Sequence, residues 1–386
     1  MNKPTKVQSQ GQPSTKTATK TVTKTMHKAA SKLSRRATKR LWIGVDVGDR
    51  WCEVCILDSR GEVKVRDRIR TTPVAVREYF VAFAGAQVAI ETGTHSPWMS
   101  RVLAGCDLEV TVANAREVRK IHQSNRKNDR SDAEILARLL HMDPKLLAPI
   151  HHRNAAMQVD LSVLRARDVL VRMRTSGINS VRGIVKSHGE RVPTCSAESF
   201  VHKAADFIAP ELKPTLGHLL EIIAELTTKI RALDKHIADL ARVKYPQTEL
   251  LTQVGGVGPV TSLAFVLTLA ETERFARSRD VGAYLGLVPR QYDSGDQHSQ
   301  LHITKAGNPL LRRLLVNSAQ YILGPFGQDC YLRRFGLRLM ERGGKNAKKR
   351  AVVAVARKLA ILLHHLWRTA DVYQPLYNTA PEQKAA

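Results

Sequence analysis

Apolar residues in the first folded stretch of the chain alternate between short continuous runs and helical spacing. Short apolar runs bounded by glycine and polar residues are typical of strands, and apolar residues three and four apart are typical of helices. The runs predict strands over residues 41–48, 51–57, 63–69, 87–91 and 109–112. The helical spacing predicts helices over 74–83, 97–104 and 130–140, with a basic connector over 114–128. This alternation predicts a mixed α/β sheet with helices on its faces.

The middle of the chain contains two long helical patterns. Residues 158–186 and 216–243 place apolar residues at helical spacing with charged residues between them. Each pattern is longer than about 25 residues, a length that favours a coiled coil or a helical hairpin. We expect this region to serve dimerisation.

A glycine-rich turn begins the last folded region. The sequence Val254-Gly-Gly-Val-Gly-Pro259 precedes an apolar helical stretch over 260–270, and further helical patterns follow over 309–322 and 347–367. A chain of 386 residues exceeds what one core usually organises. We expect a disordered basic arm over 1–40, an α/β domain over 41–150, a helical region over 151–247, a mainly helical domain over 248–370 and a tail over 371–386.

The charge of the chain indicates a polyanionic partner. Lys and Arg number 61 against 35 Asp and Glu, which gives a formal net charge of +26. Residues 1–40 hold eleven of these basic residues and no acid, so the rest of the chain still carries +15. Nucleic acid is the partner that this charge favours. No apolar run approaches the roughly 18 residues of a membrane span, and no secretory signal is evident, so we expect a cytoplasmic protein with free thiols.

Basic clusters and the glycine-rich turn are the expected nucleic-acid contacts. The turn would let backbone N–H groups approach a phosphate at a helix start, although a simple chain reversal explains it equally well. Residues 331–358 hold ten Lys or Arg against one acid, Glu341. The residues expected to contact DNA or RNA are Arg126, Lys127, Gly256, Gly258, Lys305, Arg312, Arg313, Lys345, Lys348, Lys349 and Arg350.

Four acids are candidates for a metal site, two at the ends of strands and two at the start of a helix. Asp46 and Glu91 each end an apolar, buried-looking strand, where an unpaired charge would be costly. Asp129 and Asp132 are three residues apart at a helix start, so both can face the same side. Oxygen-rich clusters of this kind hold Mg²⁺ or Mn²⁺ and support phosphodiester cleavage. The four acids are therefore candidate metal ligands.

Each acid also has an ordinary explanation. Asp46 precedes Gly48 and would suit a turn. The sequence Ser131-Asp-Ala-Glu134 is a capping box, in which Asp129 and Asp132 would favour the helix dipole. The order and setting of all four acids favour a functional cluster over these separate explanations.

Two sets of motifs together resemble a known family. The strings IGVDVGD, VAIETGTHSPW and KNDRSDAEILARLL contain the acids in the order Asp, Glu, Asp-x-x-Asp. The strings LLTQVGGVGPVTSLAFVLTLAE, YLGLVPRQYDSGDQ and ITKAGNPLLRRLLVNSA follow in the second half of the chain. Over about residues 41–368 the chain resembles the DEDD transposases of the insertion sequence 110 family.

The resemblance implies a fold, a reaction and a set of residues. It implies an α/β RNase H-like (RuvC-like) domain, a long helical coiled-coil insertion and a mainly α carboxy-terminal domain. Asp46, Glu91, Asp129 and Asp132 match the family's metal-binding acids, and Ser294 in Asp293-Ser-Gly295 matches its serine nucleophile. Ser299 is a competing serine in the same loop.

The same resemblance implies the partners. It predicts a bacterial, nucleoid-associated recombinase that uses Mg²⁺ or Mn²⁺ on the DNA of its element and of the target. It also predicts a structured guide RNA encoded by the element and a homodimer or higher oligomer.

Three other functions remain open at this stage. One is a metal-dependent junction-resolving nuclease that uses the acids without the serine. Another is a phosphotransferase of the actin or sugar-kinase type, because Asp46-Val-Gly48 resembles a phosphate-binding turn, although this leaves the charge of +26 unexplained. The third is a nucleic-acid-binding protein without catalysis, in which substitution of the acids would change no activity.

Overall fold

The computed structural model describes residues 41–121, 129–291, 293–294, 297–298 and 301–376. It divides the chain into two compact units, with the boundary between Arg153 and Asn154. The expected basic arm over 1–40 and the candidate contacts Arg126 and Lys127 lie outside the described residues. Among the described helices, none combines the length and the apolar character that crossing a membrane would require.

The first unit is built on a five-stranded mixed sheet. Its strands are β1 (Trp42–Val47), β2 (Trp51–Leu57), β3 (Val63–Arg70), β4 (Gln87–Glu91) and β5 (Glu109–Ala113). They lie in the order β3-β2-β1-β4-β5. The first three strands are antiparallel, whereas β4 and β5 run parallel to β1. All five predicted strands are confirmed, and the mixed α/β sheet with them.

Helices cover both faces of this sheet. The helices are α1 (Pro73–Phe80), α2 (Ser96–Ala104), α3 (Ala115–Ile121) and α4 (Asp129–Met142). Val45, Val88 and Ile90 share a core with Phe80 of α1 and Met99 of α2 on one face. The side chains that alternate with these along the strands point to the other face. Among them, Ala89 and Cys55 pack against α4. The sheet therefore has an α1–α2 face and an α4 face.

Gly44 brings helix α4 directly onto the central strand. A Cβ atom at this position would overlap the carbonyl oxygen of Ala133 and would lie 2.5 Å from the backbone nitrogen of Ala137. Only a residue without a side chain permits this contact between backbones. The close packing positions the beginning of α4 relative to β1.

The second unit begins with an antiparallel pair of long helices. They are α5 (Ala155–Ser187) and α7 (Lys213–Lys244), with the short α6 (Phe200–Ala205) between them. Arg167 of α5 donates to Asp234 of α7 over 2.5 Å. Asp160, near the start of α5, accepts from Lys244 and Tyr245 at the end of α7. Both predicted long helices are confirmed and form a helical hairpin, while their role as a dimerising coiled coil stays a prediction.

A buried helix organises the rest of the second unit. The elements are α8 (Thr248–Thr252), α9 (Pro259–Leu269), α10 (Asp280–Tyr284), β6 (Asp293–Ser294), β7 (Gln297–His298), α11 (Pro309–Leu323), α12 (Tyr331–Glu341) and α13 (Ala347–Thr369). Every residue of α9 from Thr261 to Leu269 is buried. Leu161 of α5 and Ile237 of α7 belong to the same core as α9 and α13. The long helices and the carboxy-terminal helices thus share one hydrophobic core.

Candidate functional site

Two of the predicted acids stand side by side at the carboxyl edge of the sheet. Val45 of β1 pairs with Ile90 of β4 in parallel register, so the next residues, Asp46 and Glu91, are neighbours. Alternation along a strand gives them the same face as Gly44 and Ala89, which α4 covers. Both residues are partly buried. The strands therefore bring Asp46 and Glu91 to one end of the α4 face.

Helix α4 points its first turn at this edge. Its buried stripe is Ala133, Leu136, Ala137 and Leu140. His141 at the other end of α4 contacts Trp42 at the start of β1, with ring centroids 4.6 Å apart, so the helix runs antiparallel to β1. Residues 129 and 132 fall on the same stripe by helical spacing, and Asp132 is partly buried. The side chain of Asp129 lies outside the described set.

Glu53 is a further acid at this edge that the sequence analysis did not identify. It is the partner of Asp46 in the antiparallel β1–β2 register and therefore lies on the same face. Its side chain is only 13% exposed and forms ion pairs with Arg68 of β3, at 3.0 Å, and with Arg130 of α4, at 3.7 Å. Arg130 stands between the two aspartates of α4. Glu53 thereby ties the first turn of α4 to the sheet beside Asp46.

The chemistry of the acids suits a hard divalent cation. Asp46, Glu91 and Asp132 offer carboxylate oxygens, the ligands that Mg²⁺ and Mn²⁺ prefer. Among the residues with described side chains, no three His, Cys, Asp or Glu come together in a group that would hold a metal ion. The donor set thus fits such a metal, while the described side chains do not by themselves form a closed ligand group.

The two cysteines beside these acids are structural. Cys52 packs on the α1–α2 face and Cys55 on the α4 face, so their C-x-x-C spacing does not place them together. Burial raises the pKa of the Cys52 thiol, and the nearby charge of Asp46 raises it further, against a hydrogen bond with Thr71 that lowers it. A raised pKa leaves the thiol protonated at neutral pH and unsuited to metal binding.

The loop after Glu91 places an imidazole at the same edge. The indole Nε1 of Trp98 donates to Nδ1 of His95 over 3.0 Å, which leaves the imidazole proton on Nε2. That nitrogen lies 3.4 Å from Oδ1 of Asp49 in the β1–β2 turn. His95 therefore connects the two loops that follow the strands of Asp46 and Glu91.

The predicted serine lies in a small hairpin of the second unit. Ser294 ends β6, and it pairs with Gln297 of β7, as Asp293 pairs with His298. The side chains of this hairpin lie outside the described set, as does the competing Ser299. The hairpin follows α10 and precedes α11.

The glycine-rich turn connects α8 to the buried helix α9. Gly256 has a φ of +86°, and a Cβ there would lie 2.9 Å from the Tyr321 ring. Gly258 is the N-cap of α9, and a Cβ there would meet nothing within 4 Å. The first turn of α9 thus begins at an open position, as backbone contact with a phosphate would need.

The basic residues predicted to contact nucleic acid differ in their surroundings. Arg312 donates to the carbonyl oxygens of Leu285, at 3.0 Å, and Ala306, at 2.6 Å, and Arg313 pairs with Asp168. These two arginines therefore have partners within the protein. Lys305 is exposed, and so is the cluster at the start of α13, which consists of Lys345, Lys348, Lys349 and Arg350.

Two family models match separate parts of the chain. The model of DEDD transposases of the IS110 type, described as a transposase, matches residues 43–189. The model described as the transposase IS116/IS110/IS902 family matches residues 248–328. The first match contains the four predicted acids and the second contains Ser294.

Curated relatives are similar over most of their length. The chain is 29% identical over 352 residues to the transposase for insertion sequence element IS1111A of Coxiella burnetii, a match that covers 88% of this chain and 93% of the relative. It is 27% identical over 288 residues to the transposase for insertion sequence element IS1328 of Yersinia enterocolitica, which covers 72% of this chain and 82% of the relative. Both similarities extend across the two units.

Proposed function

Because the chain belongs to the insertion sequence 110 family of DEDD transposases, we propose that it cuts and rejoins the DNA of its element through metal-binding acids and a serine nucleophile. It is a transposase of an insertion sequence. Its proposed catalytic acids are Asp46, Glu91, Asp129 and Asp132, and its proposed nucleophile is Ser294. In keeping with the family, the mixed sheet of the first unit is assigned an RNase H-like fold.

The observation that carries the proposal is the convergence of acids at the carboxyl edge of the sheet. Asp46 and Glu91 end neighbouring parallel strands, and α4 directs its first turn, with Asp132, towards them. These carboxylates would hold Mg²⁺ or Mn²⁺. When bound, such an ion supplies positive charge to the oxygens that attack and leave in phosphodiester cleavage.

In the proposed reaction, Ser294 forms and breaks the bonds to phosphorus. The hydroxyl oxygen of Ser294 attacks the phosphorus atom and forms a phosphoserine linkage, while the bond to one sugar oxygen breaks and that oxygen leaves with the serine proton. Rejoining reverses the step, because a sugar hydroxyl of the new strand attacks the phosphoserine and the proton returns to Ser294. The energy of the phosphodiester bond is kept in the protein–DNA link.

Proposed nucleic-acid contacts lie in the second unit. The start of α9 at Gly258, with Gly256 in the preceding turn, suits a backbone phosphate, and the exposed cluster at the start of α13 suits others. Arg312 and Arg313 would contact DNA or RNA only if they exchanged their partners within the protein for phosphate groups. In the cell we propose that the protein acts on DNA of the bacterial nucleoid.

A structured RNA encoded by the element is the proposed guide. The net charge of +26 together with few aromatic residues favours phosphate binding over base reading by the protein. When the protein is co-expressed with the flanks of its element, one RNA from those flanks should be enriched in the purified protein. An RNA content made up only of random cellular transcripts would contradict the guide.

Cleavage of supercoiled plasmid that carries the element ends tests the acids. In Mg²⁺, Asp46→Ala, Glu91→Ala, Asp129→Ala and Asp132→Ala should each lower cleavage by at least about 10³-fold while DNA binding is retained, because the carboxylates act on the transition state. Glu109→Ala, an exposed acid of β5 at the opposite end of the sheet, serves as the control and should cleave normally. Full activity of Asp46→Ala, or of the wild type in excess EDTA, would overturn the proposal.

A further inference from the structure

Arg66, Arg68 and Arg70 of the edge strand β3 share the α4 face, and Lys64 continues this basic row at the β-bulge opposite Ile56 and Leu57. Lys64, Arg66, Arg68 and Arg70 are all exposed, and β3 lies at the edge of the sheet. Arg68 pairs with Glu53 and Arg70 pairs with Trp51 in the β2–β3 register. Because Glu53 in turn faces Asp46, this basic row leads towards the candidate acids.

The basic residues at the Lys64 end of the row are paired with acids, whereas those at the Arg70 end are less compensated. Lys64 pairs with Asp58 and Glu62, and Arg66 pairs with Glu134 of α4. Arg68 pairs with Glu53 but remains 57% exposed. Among the residues that the structure describes, Arg70 has no acidic partner, and its guanidinium carbon lies 4.1 Å from the centroid of the Trp51 ring. Charges on an edge strand often serve only to prevent sheet pairing, and Lys64 and Arg66 fit that role.

Trp51 holds the two arginines at the Arg70 end of the row. The guanidinium of Arg68 also lies over its ring, 5.0 Å from the centroid. An aromatic face attracts a guanidinium and fixes its plane while leaving its N–H groups available to an anion. Two guanidinium groups held beside one ring would suit a phosphate.

The distance to the acids suits one DNA strand. Trp51 is two residues along β2 from Glu53, which pairs with Asp46 on the adjacent strand. Strand geometry then places the Cα atoms of Trp51 and Asp46 about 8 Å apart. Because one strand of a duplex rises about 3.4 Å per nucleotide along the helix axis, a phosphate at Trp51 would lie within three nucleotides of one at Asp46.

We propose that Trp51, Arg68 and Arg70 form a binding site for the phosphodiester backbone of the DNA strand that is cut, within about three nucleotides of the scissile phosphate. The proposal rests on the proposed function, since it takes the acids as the place of cleavage. Arg70 supplies a charge that no acid among the described residues pairs with, and Trp51 is a positioning residue that orients both guanidinium groups.

Neutralising single phosphates of the substrate tests this site. The probe is element-end DNA with one methylphosphonate placed in turn at each phosphate around the mapped cleavage point. For the wild type, one such substitution within three nucleotides of that point should raise KM about tenfold, the worth of one charged hydrogen bond. On unmodified DNA, Arg70→Gln should raise KM by about the same factor. On DNA that carries this methylphosphonate, the KM of Arg70→Gln should not rise further.

Matched variants separate this site from general surface charge. Arg66→Gln removes one positive charge from the same face of the same strand and should change KM less than twofold. Trp51→Leu should weaken binding as Arg70→Gln does, and Trp51→Phe should restore part of it, because a ring is again present. The proposal would be overturned if Arg66→Gln raised KM as much as Arg70→Gln does. It would also be overturned if the increase in KM from Arg70→Gln simply multiplied with the increase from every methylphosphonate, because no phosphate would then be coupled to Arg70.

A binding measurement distinguishes its failure from that of the proposed function. If the wild type cleaves and Arg70→Gln shows no coupling to any phosphate, the backbone site is wrong and the cleavage site stands. If the wild type does not cleave, the proposed function fails, and fluorescence anisotropy with the same modified oligonucleotides still tests whether Arg70 couples to one phosphate.

Discussion

At the scale of single residues, Gly44 sets how closely helix α4 approaches strand β1. A methyl group there would overlap the Ala133 carbonyl and crowd the Ala137 nitrogen, both of which are backbone atoms that cannot rotate away. The contact matters for function because Asp132 directly precedes Ala133. A shift of the helix would therefore move its acids away from Asp46.

Gly44→Ala should destabilise the first unit by about 3 kcal/mol, the upper range for overpacking a core. Urea denaturation measures the loss. Gly93→Ala is the control, because a Cβ at Gly93 would meet nothing within 4 Å, and it should stay within about 0.5 kcal/mol of the wild type. A Gly44→Ala protein as stable as the wild type would contradict the close packing.

A second residue, His364, makes the second unit sensitive to acid. Its imidazole is fully buried, with Nδ1 3.0 Å from Ser278 Oγ and Nε2 3.2 Å from the Thr272 carbonyl oxygen. Burial lowers the pKa of His364 below its usual value of about 6.5. As the pH falls through that value, the unfolded chain binds a proton that the folded chain does not.

The free energy of unfolding contributed by His364 is therefore complete above about pH 6.5 and is lost as the pH falls below it. Urea denaturation at pH 7, 6 and 5 should show this loss in the wild type and a smaller one in His364→Gln. The same slope in both proteins would show that His364 does not cause it.

At the scale of elements, the ion pair between Glu53 and Arg130 fixes the first turn of α4. Glu53→Gln keeps the size of the side chain and removes its charge, so the turn that carries Asp129 and Asp132 should loosen. We expect the Mn²⁺ concentration for half-maximal cleavage to rise at most about fivefold, in keeping with the upper limit of about 1 kcal/mol for an ion pair at the surface. Calorimetric titration with Mn²⁺ gives the same comparison without activity.

The matched control for this change lies on the same helix. Glu134 of α4 pairs with Arg66 and Arg138, and the hydrogen bond from Arg66 is the main cause of its lowered pKa. Glu134→Gln should lower stability without changing the Mn²⁺ dependence, since the pair lies further from the acids. If both variants alter Mn²⁺ binding equally, Glu53 has no specific role at the site.

The sequence predicted elements well where one face of each is apolar. The strands and the long helices stand within a few residues of their predicted ends because alternation and helical spacing follow burial directly. Helix α12 was missed because Arg333, Arg334 and Arg338 made the segment read as a basic run, although Leu332 and Gly336 are buried. Helix α3 was missed within the predicted basic connector for the same reason.

The candidate site was predictable only in part. Asp46 and Glu91 end apolar strands, so their position could be derived from the strand pattern alone. Glu53 could not be derived, because its approach to Asp46 depends on the register of the β1–β2 hairpin and its burial depends on Arg68 and Arg130. The turn Gly48–Arg50 sets that register and has no unique sequence pattern. Ser294 came from the family resemblance, since a serine in a polar turn has no distinguishing pattern.

At the scale of the whole molecule, the acids and the serine belong to different compact units. The helical hairpin of α5 and α7 separates them in sequence. A dimer in which the acids of one subunit act with the serine of the other would satisfy this arrangement. We therefore expect composite active sites.

Mixed subunits test for composite sites. Asp46→Ala mixed with Ser294→Ala should recover up to about a quarter of wild-type cleavage, since one intact acid set meets one intact serine in a mixed dimer. Asp46→Ala mixed with Glu91→Ala is the control and should remain inactive, because neither subunit provides a complete acid set. Failure of the first mixture to cleave would place the acids and the serine of one site in the same subunit.

The central claim, that acids at the sheet edge and Ser294 act on one phosphate, is tested most directly by mapping the covalent protein–DNA adduct. Element-end DNA is incubated with the protein in Mg²⁺, the reaction is denatured, and the DNA-linked peptide is identified by mass spectrometry. The account predicts a phosphoserine at Ser294 in the wild type and in Ser299→Ala, and no adduct in Ser294→Ala or Asp46→Ala. Cleavage by the wild type with no adduct, or an adduct on any other residue, would contradict it.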